Sequence, residues 1–344
     1  MKEKVKRKKE KAKAQGKSAF AIGVDLGGTN LRIAAVDGRG RLLEKVTADT
    51  GVARPRDQVI AEMCRAIQAL AAKRKKVGGR LGGVGVGVPG IIDLASGMLR
   101  ESPNLPGWED YPVREEIERR LGTRVILEND ANAAALGEQW LGAGRAADDL
   151  CMVTLGTGVG GGIVLGGRIW HGMTGMAGEL GHITVEPEGP PCGCGNRGCV
   201  EQFASATAIA RMAREAAAQG RAPELARAAR ENPDFCSETV CQLAEAGDLA
   251  AREIFARVGR ALGILVAALV NTFNLPMYVI GGGVAKAWEM FSPAMFEEVR
   301  KRSFVYAATS SGGSGGKTVI TCAQLGSDAG LFGAARLAMP HPGG

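Results

Sequence analysis

FAIGVDLGGTNLRIAAVDG, the sequence of residues 20–38, carries the strongest indication of the fold. Two apolar runs, Phe20–Val24 and Leu31–Val36, flank the glycine-rich turn DLGGTN, a pattern typical of a β-hairpin. CMVTLGTGVGGGIVLGG, at residues 151–167, repeats the order of strand, glycine turn and strand. Two such hairpins, about 130 residues apart, indicate a duplicated architecture with a cleft between its halves.

Helical and strand patterns alternate outside the two hairpins, which predicts a mixed α/β fold. A helix at residues 57–76 would carry Val59, Met63, Ile67 and Leu70 on one face. The other predicted elements are a strand before the Pro-Gly turn at 89–90, a helix at 111–121, a strand at 123–127, a helix at 131–141, helices within 205–230 and 248–270, a strand at 277–280 followed by a helix, a flexible loop at 310–316, and a final helix from about residue 328.

The charge of the chain is concentrated in its first residues. The formal net charge is +7, and residues 1–17, with nine Lys or Arg and two Glu, carry all of it. The neutral remainder argues against a general nucleic-acid-binding face. This segment has almost no apolar residue to pack, which favours a disordered or solvated tail. An anchor to a membrane surface or to nucleic acid is the alternative.

The apolar runs predict neither export nor a membrane span. The basic segment lacks the apolar stretch that a secretory signal needs. The longest apolar run, Ala261–Val270, is too short to cross a bilayer and indicates a buried helix. We therefore expect a cytoplasmic protein without a membrane partner, whose scattered cysteines remain reduced.

Three glycine patterns resemble nucleotide-binding motifs but lack the structural context of those motifs. Residues 85–90 and 156–161 match the dinucleotide pattern, yet no helix opens directly after either. GGSGGKT, at residues 312–318, resembles a P-loop, but a strand-like TVIT follows it. We therefore expect neither a dinucleotide-binding site nor a P-loop.

The hairpin turns themselves are the better candidates for phosphate binding. Glycines let backbone N–H groups approach phosphate oxygens, and Thr29 and Thr157 add hydroxyl donors. The Gly281–Gly283 turn adds a third glycine-rich site, and ordinary tight hairpins are the alternative interpretation. Asp25, just before the first turn, is suited to hold Mg²⁺ through water.

Glu128-Asn129-Asp130 lies where a predicted strand ends and a helix begins. Asp130 has two interpretations of equal weight. It either caps the helix or acts as a general base that accepts the proton of an attacking substrate hydroxyl. In the second case, Asn129 would hold a neighbouring hydroxyl.

The strongest single constellation is the array H-x9-C-x-C-x4-C, formed by His182, Cys192, Cys194 and Cys199. One imidazole and three thiolates complete a tetrahedral Zn²⁺ site with no open position, which is structural rather than hydrolytic. Reduced thiols in a loop are the alternative, and the spacing differs from that of common nucleic-acid-binding zinc fingers. Glu179 and Glu201 bracket the cluster and could accept hydrogen bonds from substrate hydroxyls.

Taken together, these motifs closely resemble the ROK family of sugar kinases, repressors and open reading frames, within the actin/hexokinase-like ATPase superfamily. The resemblance runs from about residue 20 to residue 338. The motifs that carry it are GVDLGGTNLRIAAVD (23–37), GVGVPGIID (85–93), SPNLPGW (102–108), ENDANAAALGE (128–138), LGTGVGGGIV (155–164), GMAGELGH (175–182), CGCGNRGCVE (192–201) and VIGGGV (279–284).

The resemblance implies a duplicated, ribonuclease H-like α/β fold of two domains around an interdomain cleft. The expected parts are a basic tail at 1–18, a small domain at 19–140 completed by a C-terminal helix within 326–344, and a large domain at 141–325 with the zinc loop. It also implies ATP-dependent phosphorylation of a hexose, with Mg²⁺, a structural Zn²⁺, and a homodimeric or homotetrameric assembly.

Carried over position by position, the resemblance assigns the site residues. Asp130 is the implied catalytic base. The implied substrate-binding residues are Asn104, Asn129, Asp130, Glu179, His182 and Glu201. The implied nucleotide-binding residues are Asp25, Gly27, Gly28, Thr29, Asn30, Thr157, Gly158 and Gly282. The implied zinc ligands are His182, Cys192, Cys194 and Cys199.

The segment SPNLPGW is most similar to glucokinase members of the family, so transfer from ATP to the 6-hydroxyl of glucose is the leading expectation. Fructose, mannose, allose and N-acetylhexosamine kinases share most of these residues, which leaves the sugar open. A sugar-responsive repressor is the alternative from another class. Such proteins place a helix-turn-helix domain before the sugar fold, and we expect the roughly 19 polar and basic residues here to be too few to form one.

Overall fold

The structure, a computed structural model, describes residues 19–311 and 316–339. The predicted basic tail lies outside the described residues, as do residues 312–315 of the predicted glycine-serine loop. The described chain forms two compact units, one from residues 19–137 and 330–339 and the other from residues 138–329.

The first unit is built on a five-stranded sheet with the order β3-β2-β1-β4-β7. Strands β1, β4 and β7 are parallel, and β2 and β3 continue the sheet in antiparallel pairing. The strands are β1 (Ala19–Leu26), β2 (Asn30–Asp37), β3 (Leu42–Asp49), β4 (Arg80–Val88) and β7 (Val125–Asn129), and a separate hairpin consists of β5 (Ile91–Asp93) and β6 (Met98–Glu101). The helices that begin in this part of the chain are α1 (Arg56–Lys76), α2 (Val113–Leu121) and α3 (Asp130–Leu141).

The second unit repeats this sheet with the order β10-β9-β8-β11-β12. Here β8 pairs antiparallel with β9 and parallel with β11, so it takes the position that β1 has in the first sheet. The strands are β8 (Leu150–Leu155), β9 (Val159–Leu165), β10 (Arg168–Ile169), β11 (Met277–Gly281) and β12 (Val319–Cys322). The matching topologies confirm the duplicated architecture that the two glycine-turn hairpins predict.

Helices cover the second sheet. They are α4 (Glu201–Ala204), α5 (Ala206–Ala218), α6 (Pro223–Glu231), α7 (Ser237–Glu245), α8 (Leu249–Phe273), α9 (Trp288–Arg302) and α10 (Phe304–Thr309). The last described helix, α11 (Ala329–Leu337), belongs from Gly330 onward to the first unit. Short 3₁₀ turns lie at Leu180–His182, Gly283–Ala287 and Gly326–Asp328. Within the described ranges, none of the helices has both the length and the apolar character needed to cross a bilayer.

The predicted apolar periodicity places the core as expected in the first unit. Val59, Met63, Ile67 and Leu70 of α1 are buried, and they belong to the same core as the apolar side chains of β1 and β4. The amphipathic spacing therefore explains why α1 forms and which face it buries.

Two predicted boundaries differ from the structure for local reasons. The helix predicted from residue 111 begins at Val113, because the backbone of Tyr111 instead pairs with Leu99. The helical region predicted at 205–230 is broken at Gly220, which has φ +70°, and Pro223 then opens α6. Strand β3, the β5–β6 hairpin and helix α7 were not predicted.

Candidate active site

The carboxyl ends of β1, β4 and β7 meet at one edge of the first sheet because these strands are parallel. Asp25 of β1 lies in register with Gly87 of β4, which lies in register with Glu128 of β7. Asn129 ends β7, and Asp130 opens α3 directly after it. Three carboxylates therefore belong to neighbouring positions of this edge.

The cap of α3 is provided by Asn129. Its Oδ1 accepts the backbone N–H of Ala131 at 2.9 Å and that of Asn132 at 3.2 Å, while its Nδ2 donates to the carbonyl of Gly90 at 3.2 Å. Asp130 is the first helical residue, and its Oδ1 also accepts the N–H of Ala131. The capping role left open for Asp130 therefore falls mainly on its neighbour. Within the described residues, one side-chain N–H of Asn129 remains beyond these bonds.

Asp25 and Asp130 approach the start of α11 together. A β-carbon built on Gly330 would lie 3.5 Å from the Asp25 carboxyl group and 3.7 Å from the Asp130 carbonyl oxygen. Asp25 also forms a 2.9 Å ion pair with Arg32, its partner across the β1–β2 hairpin. Because that guanidinium already engages Oδ2, the carboxylate suits contact with a Mg²⁺ ion through water better than direct coordination of the metal.

The first glycine turn is closed by the N–H of Gly27, which donates to the carbonyl of Asn30 at 2.9 Å. Thr50, which directly follows β3, also holds the turn, because its hydroxyl donates to the Gly27 carbonyl at 2.7 Å. Within the described part of the chain, the N–H groups of Gly28 and Thr29 donate to no protein acceptor, and the Thr29 side chain is exposed. These donors fit the oxygens of a phosphate group.

Asn104 lies beside this turn. A β-carbon on Gly28 would be 2.8 Å from the Asn104 carbonyl, so only glycine permits this approach. The neighbouring side chains of Leu105 and Trp108 are fully buried, and Trp108 meets Tyr111 edge-to-face at 5.6 Å. Buried anchors thus hold an exposed Asn104 in place.

The second glycine turn is closed by the N–H of Gly156, which donates to the carbonyl of Gly158 at 2.9 Å. Thr157 is exposed, and among the described residues no protein group accepts its N–H or that of Gly158. Gly282 follows β11, and its backbone packs against the Leu155 carbonyl at the end of β8. The second sheet therefore repeats the donor-rich turn of the first.

Three residues that follow Cys199 in sequence, namely Glu201, Ala206 and Thr207, hold the second turn. Glu201 Oε2 accepts the Val159 N–H at 2.9 Å. The Ala206 N–H donates to the Gly156 carbonyl at 2.8 Å, and the Thr207 hydroxyl donates to the Thr157 carbonyl at 2.8 Å.

The GELGH segment packs against the same hairpin. A β-carbon on Gly181 would lie 2.0 Å from the Val159 carbonyl oxygen, so this contact requires glycine. Glu179, which is exposed, precedes the 3₁₀ turn, and its carbonyl accepts the His182 N–H at 3.2 Å. Glu179 and His182 thus belong to a segment fixed against β9.

The four predicted metal ligands converge. The ligand atoms of His182, Cys192, Cys194 and Cys199 all lie within 4.8 Å of one another. The Cys192 Sγ lies 3.7 Å from the His182 Nδ1, and the Cys194 Sγ lies 3.7 Å from the Cys199 Sγ. A tetrahedron with metal–sulfur bonds of about 2.3 Å has edges of about 3.8 Å, so this donor set fits Zn²⁺.

Ionisation of the clustered thiols is costly, and a bound cation would offset that cost. Burial raises the pKa of Cys199 to about 12, and hydrogen bonds with the other two cysteines add to the shift. A hydrogen bond with the Asn196 backbone lowers the pKa of Cys194. Neighbouring thiolates at these distances repel one another unless a divalent cation compensates their charge.

Each unit thus gathers its own part of the predicted residues. The first unit brings together Asp25, the turn at 27–30, Asn104, Asn129 and Asp130. The second unit brings together Thr157, Gly158, Glu179, His182, Glu201 and Gly282.

Sequence reasoning missed the residues that hold these groups, including Arg32, Thr50 and Thr207. Only Thr207 lies next to a feature that can be recognised in the sequence, the N-cap of α5. Ser205 forms this cap by accepting the Ala208 N–H at 3.1 Å. Arg32 acts across a strand pair and Thr50 acts on a turn 23 positions away, and the sequence carries no local mark for either contact.

Comparisons with known proteins agree with this geometry. The model of the ROK family matches residues 21–340. A glucokinase of Thermotoga maritima is 39% identical over 323 residues, which cover 94% of this chain and 98% of that protein. The crystal structure of a ROK family glucokinase from Streptomyces griseus in complex with glucose and AMPPNP is 34% identical, with a TM-score of 0.74. The match covers 92% of this chain and 98% of that one.

A regulator also matches. The xylose repressor of Caldicellulosiruptor bescii is 32% identical over 285 residues, covering 83% of this chain and 71% of the repressor. The same scaffold thus occurs in proteins with two kinds of function.

Proposed function

The chain belongs to the ROK family, and we propose that it is an ATP-dependent hexose kinase that phosphorylates the 6-hydroxyl of glucose. The similarity to the glucokinases of Thermotoga maritima and Streptomyces griseus supports the reaction and the sugar. One observation carries the mechanism: Asn129 caps α3, whereas Asp130 lies at the same sheet edge as Asp25.

Asp130 acts as the general base. Its carboxylate accepts the proton of the 6-hydroxyl as that oxygen attacks the γ-phosphorus of ATP, and ADP leaves. The N–H groups of Gly28, Thr29, Thr157 and Gly158 donate to phosphate oxygens, and the two threonine hydroxyls add further donors. Asp25 would hold Mg²⁺ through water, and the bound ion would neutralise charge on the phosphates.

The proposed hexose ligands are polar side chains. In the first unit they are Asn104 and the remaining N–H of Asn129, and in the second unit they are Glu179, His182 and Glu201. Carboxylates accept hydrogen bonds from sugar hydroxyls, and amide N–H groups donate to sugar oxygens. Removing water from this region limits the hydrolysis of ATP.

We assign Zn²⁺ to the His182 and three-cysteine cluster, where it fixes the loop next to Glu201. The 3.7 Å ligand spacings and the one-imidazole, three-thiolate donor set support zinc over a hard cation. We also propose that the two units correspond to the small and large domains expected from sequence, and that the protein is a cytoplasmic homodimer or homotetramer. Transcriptional repression is the competing function, and the Asp25 and Asp130 arrangement favours catalysis over it.

The experiment is a coupled assay that follows ADP release from Mg-ATP with zinc-replete protein and a panel of hexoses. We expect strong turnover with glucose and weak turnover with fructose and N-acetylated sugars. Strong turnover with a different hexose would change the substrate and keep the mechanism. No turnover with any hexose would reject the kinase assignment, and specific operator binding at physiological salt would then favour the repressor.

A further inference from the structure

Val159 lies between the two segments that hold the proposed hexose ligands of the second unit. Its N–H donates to Glu201 Oε2 at 2.9 Å, and its carbonyl oxygen faces Gly181, where a β-carbon would come within 2.0 Å. Gly181 lies between Glu179 and His182 in sequence. Val159 ends the proposed phosphate-binding turn. Its N–H and its carbonyl oxygen therefore each contact a segment that carries proposed hexose ligands.

Glu201 is placed for two tasks at once. Its Oε2 binds the backbone of the turn, and a β-carbon on Gly158 would lie 2.4 Å from this oxygen. Glycine at 158 is thus required for the carboxylate to reach the turn. The carboxylate has a second oxygen, which can accept a hydrogen bond from a sugar hydroxyl while the first holds Val159.

Two further bonds join the same segment to the turn without involving a proposed hexose ligand. The Ala206 N–H binds the Gly156 carbonyl, and the Thr207 hydroxyl binds the Thr157 carbonyl. Consecutive positions of the turn are therefore held by residues 201–207, which begin two residues after the last cysteine of the cluster. Thr207 provides a matched control, because it acts on the turn alone.

We infer that Glu201 is a positioning residue for the nucleotide as well as a hexose ligand, and that it couples the affinities for the two substrates. The inference rests on the proposed function for the hexose contact. A sugar hydroxyl bound to one oxygen fixes the carboxylate, and the fixed carboxylate holds the N–H groups of Thr157 and Gly158 in the conformation that binds phosphate. The ligand that binds first orders the turn, and the second ligand then binds without that entropic cost. Each substrate therefore strengthens the binding of the other.

The test is calorimetric binding of Mg-AMPPNP and of glucose, each alone and each with the other present, to the full zinc-replete chain. We expect glucose to bind the wild type several-fold more tightly with Mg-AMPPNP present. Glu201→Ala should weaken Mg-AMPPNP binding about tenfold, the loss expected for a hydrogen bond to a charged acceptor. It should also reduce the coupling ratio to about one.

Two variants separate positioning from general damage. Glu201→Gln keeps an oxygen that can accept the Val159 N–H, so its Mg-AMPPNP affinity should stay within about threefold of wild type while glucose binding weakens. Thr207→Val should weaken Mg-AMPPNP binding about fivefold, keep the glucose affinity and preserve the coupling ratio. Zinc content and near-ultraviolet circular dichroism verify that each variant retains the folded cluster.

Wild-type Mg-AMPPNP affinity in Glu201→Ala, or an unchanged coupling ratio in that variant, would overturn the inference. So would a wild type that turns over glucose and shows no coupling between the two ligands. Absence of turnover and of glucose binding in the wild type would instead reject the proposed function, which keeps the two failures distinct.

Discussion

The two glycine turns occupy equivalent positions in two sheets of the same topology, yet they are held in different ways. The turn at 27–30 is held by Thr50, which directly follows β3 of the same sheet. The turn at 156–159 is held by residues 201–207, far along the chain and directly after the metal cluster. The duplicated scaffold therefore repeats the donor-rich turn, while the contacts that support each turn differ.

The outer parallel strands show the same divergence. At the carboxyl end of β7 the chain presents Asn129 and Asp130. At the equivalent end of β12, the buried Glu138 side chain accepts the N–H groups of Gln324 at 3.0 Å and Leu325 at 2.7 Å. We propose that the carboxylate of Asp130 at the first edge serves the chemistry, whereas the carboxylate of Glu138 at the second edge satisfies backbone N–H groups.

Removal of the proposed zinc should have the largest of the effects that distinguish the two units. We expect Cys194→Ser, or removal of zinc by a chelator, to lower the melting temperature by about 10 °C, since a structural zinc site contributes several kcal/mol. Zinc content and thermal unfolding measure this effect. Because the second turn depends on the segment after the cluster, the KM for ATP should rise in the surviving folded protein.

Cys236→Ser is the matched control, because Cys236 is also exposed and lies outside the cluster. We expect it to change neither zinc content nor melting temperature. Equal effects of the two substitutions would contradict a structural role for the cluster.

Glu138→Gln should destabilise the fold by about 2–3 kcal/mol, because the amide group would turn a donor toward backbone N–H groups that the carboxylate now accepts. The N–H of Ala143 is a third such donor, at 2.8 Å. Urea unfolding measures the change, and Glu253→Gln, at an exposed position of α8, serves as the control. A loss below about 0.5 kcal/mol would show that the buried carboxylate is dispensable.

Thr50→Val tests the support of the first turn. Removal of the hydroxyl that binds the Gly27 carbonyl should raise the KM for ATP about fivefold and leave the KM for glucose unchanged, because one neutral hydrogen bond contributes about 1 kcal/mol. Steady-state kinetics with both substrates varied provides the measurement. An equal rise in both KM values would indicate damage beyond the turn.

Tyr278→Phe should produce the smallest change, about 1 kcal/mol at neutral pH. The buried Tyr278 hydroxyl donates to the Leu269 carbonyl and accepts the Leu275 N–H. Burial raises the pKa of Tyr278 from 10.0 to about 12. The folded state therefore favours the protonated phenol, and this stabilisation is complete below pH 10 and lost as the pH rises through about 12.

The stability advantage of wild type over Tyr278→Phe should accordingly fall between pH 10 and about 12 and then reverse in sign, because a pKa shift of this size removes more stability than the hydroxyl contributes at neutral pH. Urea unfolding at several pH values measures it. A difference that stays constant across this interval would contradict the assignment of the shift to the buried phenol.

The sequence predicts those parts of the molecule that depend on local patterns. The two hairpins, the amphipathic helix α1 and the spacing of His182 and the cysteines are each recognisable within one segment. The pair Asn129 and Asp130 marks a strand-to-helix junction, although the local sequence leaves open which of the two residues caps the helix. The side-chain oxygen of Asn129, which accepts two N–H groups, answers that question only in the folded chain.

The supports of the site could not be predicted in the same way. Contact between Glu201 and Val159 joins residues 42 positions apart, and it depends on how the cluster loop packs against β9. The approach of Asp25 and Asp130 to Gly330 depends on the packing of the last helix. Strand β3 was missed because its burial pattern is largely exposed, so it lacks the apolar alternation that marks a strand.

The most direct test of the central claim is the turnover number of Asp130→Asn with Mg-ATP and glucose, compared with wild type and with Asp234→Asn at an exposed position of the second unit. We predict that Asp130→Asn lowers kcat by about 10²- to 10⁴-fold, leaves the KM for ATP within about threefold, and retains the wild-type melting temperature within about 2 °C. Asp234→Asn should match wild type in all three. Near-normal turnover in Asp130→Asn would contradict the assignment of the general base, and with it the account of the first sheet edge as the catalytic one.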